Sequence, residues 1–123
     1  MFFEKPVSFS DIKNDHYIIE NILWDVMPTD IAEPRIKLNE EGSIVKKTIK
    51  GYIFYIETFD KRPSLFLMRH TANGYAETVA EIKEVPEELL IKAIEENKDK
   101  EFFGMYPINN DIKDWLKKEL GVL

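Results

Sequence analysis

Four polar side chains carry the chemistry this sequence could do: Lys50, Arg69, His70 and Glu77. Asn73-Gly74 lies between two β-forming runs, 64–71 and 75–83, and supplies both positive-φ positions of a type I′ hairpin turn. A two-residue turn fixes register. It sets His70 opposite Glu77, Arg69 opposite Thr78, Met68 opposite Val79, Leu67 opposite Ala80 and Leu65 opposite Ile82. A carboxylate facing an imidazole orients it and favours its charged form, so His70 and Glu77 are a candidate acid–base pair. The plainer reading of the same pair is an ordinary cross-strand contact worth ~0.2–1 kcal/mol. Arg69, with Lys50 and the upstream Lys46 and Lys47, could hold a phosphate or carboxylate, Arg as a two-pronged donor and Lys as a point charge. The plainer duty of such lysines is to keep a sheet edge from aggregating.

Other chemistries lack their residues. The chain has no cysteine, which removes disulfides, thiolate metal sites and cysteine nucleophiles. His16 and His70 are its two histidines and have no ligand spacing, so no metal site is expected. Gly42, Gly51, Gly74, Gly104 and Gly121 are isolated, so no phosphate loop exists, and no serine sits in a Gly-x-Ser-x-Gly turn. No cofactor is expected.

The 123 residues carry a net charge of −6, unevenly placed. Positions 46–73 hold six basic and two acidic side chains, whereas 1–45 and 74–101 are each strongly acidic. Net acidity argues against nucleic acid, since neutralising phosphates needs surplus Lys and Arg. No apolar run approaches the ~20 residues of a membrane span, and the opening Met1-Phe2-Phe3-Glu4-Lys5-Pro6 does not resemble a secretory signal. The expectation is a cytoplasmic protein.

These residues need elements to position them. Ile12, Ile19, Ile22, Leu23, Val26 and Met27 follow one helix face, which predicts a helix over 9–27. Ser8 and Asp11 cap it, Val7 and Ile12 staple it, Asn14-Asp15 can break it, and Pro28 ends it. An extended connection over 28–34 leads to a β-meander: 35–38, a turn at 39–42, then 44–59, 64–71 and 75–83. A four-residue turn at Asp60–Pro63 sets Ile56 against Leu67 and Phe54 against Arg69. Pro86 opens a helix striped by Leu89, Leu90, Ala93 and Ile94, with Glu88–Lys92 and Glu96–Lys100 as i,i+4 pairs. Asn109 or Asn110 caps a last helix that Gly121 stops. The fold class is α+β: an antiparallel meander of three to four strands against about three helices, one N-terminal and two C-terminal, in one domain over 1–123.

Alternation puts Tyr52, Phe54, Ile56, Leu65, Leu67, Ala80 and Ile82 on a helix-facing side. The reverse side collects Ile53, Tyr55, Phe66, Met68 and Val79, apolar beyond what a solvated face needs. Either the chain covers it or a partner does. Phe102, Phe103, Met105 and Tyr106 form an aromatic connection that either plugs a gap or recognises a partner. Trp24 and Trp115 adjoin helical stripes and belong at the core edge. The leading functional expectation is a non-enzymatic protein-interaction or homodimer module built on Ile53, Tyr55, Phe66, Met68, Val79, Phe102, Phe103 and Tyr106. A small anionic-ligand module at Lys50, Arg69, His70 and Glu77 is the alternative, and an enzyme using His70 and Glu77 the third.

Overall fold

Ser8 begins the first helix as a reciprocal cap: its hydroxyl accepts from Asp11 N at 3.1 Å, and its own N–H donates to the Asp11 carboxylate at 3.2 Å. A computed structural model describes residues 8–28, 30, 50–59, 62–70 and 76–122, and the backbone of 36–38 and 44–46. The Val7 staple partner, the 39–42 turn, Lys47 and Asn73-Gly74 lie outside the described residues.

The N-terminal apolar run forms two short helices, α1 (Phe9–Lys13) and α2 (His16–Glu20). They break where Asn14-Asp15 was read, because the Asp15 carboxylate caps α2 through Ile18 N at 3.1 Å. The helix expected to reach 27 stops at Glu20. Tyr52 captures the chain there: its N–H donates to Asn21 O at 3.0 Å, and its carbonyl accepts from Leu23 N at 2.8 Å. Residues 21–23 thus run parallel to a strand instead of completing a helix. Positions 28 and 30 are helical, not extended.

The strands are β1 (Ile36–Leu38), β2 (Ile44–Lys46), β3 (Gly51–Glu57), β4 (Ser64–His70), β5 (Ala76–Ile82) and β6 (Met105–Pro107). β1 and β2 pair with each other as a separate antiparallel ladder, so the run expected over 44–59 is two strands. The main sheet has the order β5-β4-β3-β6, antiparallel throughout. Helices α3 (Glu87–Glu96) and α4 (Asn110–Leu120) flank β6 in sequence, with a 3-10 turn at Lys98–Lys100. Asn109 caps α4 through Ile112 N at 3.0 Å, and Gly121 closes it at φ 73°. The expected i,i+4 pairs give way to tertiary ones. Lys92 meets Asp111 at 2.6 Å, and Glu96 accepts from Asn109 at 2.9 Å.

Two register details decide where side chains go. β3 and β4 are offset by two residues from the expected pairing: Phe54 meets Leu67 and Ile56 meets Leu65. The connecting loop is longer than a four-residue turn. An even slip leaves each side chain on its face. The β4–β5 pairing holds as expected for Leu65–Ile82 and Leu67–Ala80, then shifts by one at a bulge between Leu67 and Met68. Beyond it Met68 meets Thr78, Arg69 meets Glu77 and His70 meets Ala76.

The principal core lies on the helix side of the sheet. Phe9, Ile12 and Ile18 from the N-terminal helices, Leu90 and Ala93 from α3, and Ile112, Leu116 and Leu120 from α4 pack there. They meet Tyr52, Phe54, Ile56, Leu65 and Leu67 of the sheet. Trp115 stacks on Phe9 and Trp24 on Phe54 at centroid distances of 5.7 and 5.8 Å, both at the core edge as expected.

Candidate functional site

The bulge rewrites the polar constellation. Glu77 faces Arg69, not His70, and pairs with it at 2.6 Å. Successive strand residues point to opposite sides, so Glu77 and His70 lie on opposite faces and do not form the expected acid–base pair. Arg69 is also the cross-strand neighbour of Tyr52. Burial pushes the Tyr52 phenol above its usual range, and the Arg69 charge partly opposes that shift.

Lys50, Arg69 and His70 nevertheless border one cleft, although His70, next to Arg69 on β4, points its side chain to the other face. α2 supplies Tyr17 and, at its C-cap, Asn21; the start of β3 supplies Lys50, Gly51 and Tyr52; the end of β4 supplies Arg69 and His70. They line a small cleft of about 100 Å³. Tyr17 and Tyr52 meet edge-to-face across 6.3 Å. The close approach of residues 21–23 to β3 shapes the wall. A Cβ on Gly51, whose φ is 152°, would stand 2.8 Å from the Asn21 carbonyl and from Leu23. His70 is buried and Lys50 exposed. Among the described residues no group of His, Asp and Glu is arranged to hold a metal, and no helix is long and apolar enough to cross a membrane.

The apolar candidates divide. Ile53, Tyr55 and Met68 form a second buried cluster on the reverse face, against which Leu23, Val26, Phe66 and Met105 pack. Of the two alternatives for this face, coverage by the chain itself holds at these positions. Tyr55 stacks on its cross-strand neighbour Phe66 at 5.9 Å, and burial raises its phenol pKa. Phe66 remains half-buried. Val79 does not belong to this face. The bulge turns it towards the helices, where it is fully buried beside Ala80 in the principal core.

The 102–107 segment is a hairpin and a strand. Phe102 and Met105 exchange backbone hydrogen bonds of 2.8 and 2.9 Å around Phe103-Gly104, with φ of 50° and 82°. Two consecutive positive φ values make a type I′ turn. The glycine at its second central position was the available signal; a phenylalanine at the first concealed it. Tyr106, on β6 opposite Ile56, packs against the principal core. Phe102 is half-buried and meets the Phe103 ring edge-on at 4.6 Å. Phe103 is 77% exposed, and the neighbouring Phe59, whose ring lies over Gly104, is 61% exposed. Sequence reasoning missed Phe59, which lies far from 102–104 along the chain.

The outer edge of β6 is closed to further strands. Met105 spends its outward N–H and C=O on Phe102. Pro107 has no N–H, and its carbonyl accepts from the buried Asn97 side chain at 3.1 Å. Strand addition at this edge has no free backbone groups to use.

No family model, curated protein or solved structure matches this chain.

Proposed function

We propose that the chain is a non-enzymatic protein-binding module whose contact surface is the aromatic corner of Phe59, Phe102 and Phe103, and that it associates with a second copy of itself. One observation carries this reading. A phenylalanine is held in the left-handed backbone region with most of its ring in water. Left-handed geometry costs a non-glycine residue about 1–2 kcal/mol, and exposing the ring forgoes the stabilisation of burying it. Neither cost serves the fold of the isolated chain. Both are offset if the ring is buried in an interface, where aromatic anchors dominate binding energy.

Charge supports self-association. Lys98, Asp99, Lys100 and Glu101 lie next to the corner in sequence, are exposed and alternate in sign. Two copies related by a two-fold axis can then meet without a rim of one charge. Sedimentation velocity over a wide concentration range tests the reading. The wild-type chain should associate, and Phe103→Ser or Phe59→Ser should weaken association at least about tenfold, the loss of one buried aromatic anchor. A chain that stays monomeric up to about 1 mM, a dissociation constant worth only ~4 kcal/mol, overturns it.

A further inference from the structure

We infer that the cleft between α2, the start of β3 and the end of β4 is a binding site for a small oxyanion, a carboxylate or a phosphate group. This site is separate from the aromatic corner. Its lining is the first argument. Among the described residues that line it none is acidic, and Lys50 and Arg69 supply its positive charge, since His70 alternates with Arg69 and points to the other face. The larger cleft beside Trp24 differs: lysines and carboxylates line it together, and its Lys92–Asp111 and Lys113–Asp25 pairs neutralise each other at 2.6 and 3.1 Å.

Charge within the site is the second argument. Glu77 holds the Arg69 guanidinium at 2.6 Å, so its position is fixed before any ligand arrives. Glu77 offsets the Arg69 charge. Lys50 is exposed and makes no ion pair with any described residue, so it brings positive charge to the mouth. Asp15, whose charge also reaches Tyr52, caps α2 through Ile18 N.

Size sets the ligand class. Sites for drug-sized molecules run to roughly 300–1,000 Å³. About 100 Å³ admits a group of a few heavy atoms and excludes a nucleotide or a folded peptide. Tyr17 and Tyr52 close the cleft with rings that each end in a hydroxyl, suited to donate to oxygen.

The test is a titration of the isotope-labelled full chain with sodium phosphate and, separately, sodium acetate, at an ionic strength held constant with chloride. The amide signals of Gly51, Tyr52 and His70 should shift saturably with one or both anions, and the anion that saturates identifies the source. Lys50→Gln should weaken binding about three- to fivefold, as removal of one exposed charge does. Lys83→Gln, an exposed lysine just after β5 at the opposite end of the sheet, should leave it unchanged. Phe103→Ser should also leave it unchanged, which separates this site from the proposed self-association. Absence of a saturable shift with either anion overturns the inference. So does equal binding by Lys50→Gln and the wild type.

Discussion

On the reverse face of the sheet Ile53 is fully buried, with Tyr55 and Met68 beside it, whereas at the β6 corner Phe103 and Phe59 face water. Both groups are apolar and both lie away from the helices. The difference is what the chain can bring to them. Residues 21–23 are tied to β3 by Tyr52, which carries Leu23 and Val26 over the reverse face. The corner is built by a type I′ turn, whose two central residues must project away from the ladder that closes it. An apolar strand residue is covered when a neighbouring segment crosses it. An apolar turn residue has nothing beyond it but solvent or a partner.

The largest test of this contrast is Ile53→Ala. If the reverse face is true core, the substitution should destabilise the protein by about 3 kcal/mol, the usual cost of removing a buried isoleucine side chain. Denaturant unfolding measures it, and a loss below about 0.5 kcal/mol would mark the face as surface. Gly51→Ala attacks the covering segment instead. Its Cβ would press on the Asn21 carbonyl and Leu23, so residues 21–23 should be pushed off β3 at a cost of about 2 kcal/mol. Faster hydrogen exchange at the Leu23 amide would locate the damage.

At the corner the sign should reverse. Phe103→Asn keeps the left-handed backbone at lower strain and removes a mostly exposed ring. Stability should be unchanged or rise by up to about 1 kcal/mol, while self-association falls. A clear loss of stability in thermal unfolding would mean that the ring packs into the fold.

The smallest effect is alkaline. Burial raises the phenol pKa of both Tyr52 and Tyr55 above the ordinary value of 10.0. A group whose folded pKa lies above its unfolded pKa contributes stability that is complete below the unfolded value and is lost as pH rises through the folded one. Stability should therefore hold to about pH 10 and decline above it. Phenolate absorbance should show these two tyrosines ionising above the ordinary tyrosine range. Tyr55→Phe should remove part of the alkaline loss.

Much of the local structure was legible because its causes are local. Ser8 with Asp11, Asp15, Asn109 and Gly121 mark helix ends through hydrogen bonds or backbone geometry that reach only a few residues. The helix-facing side of the sheet was also legible, since strict alternation survives a two-residue slip between β3 and β4. The bulge at Leu67/Met68 was not. Nothing in Ala76–Ile82 distinguishes a regular strand from a bulged one, yet the one-residue shift moves Val79 into the core and gives Glu77 to Arg69 rather than His70. Lys50, Arg69 and His70 thus border one cleft, whereas Glu77 pairs with Arg69.

Sequence by itself determined the α+β class, the helix caps, the strand pair around 64–82 and the surplus of apolar residues over one sheet face. Each rests on short-range periodicity, capping or turn chemistry. Tertiary structure alone decided which segments share the edge of β3, where residues 21–23 displace a helix and β6 takes the other half. It also decided which apolar residues are covered. Both outcomes depend on backbone hydrogen bonds between residues some thirty to fifty positions apart, such as Leu23 with Tyr52 and Thr58 with Gly104. No local pattern encodes a partner at that distance.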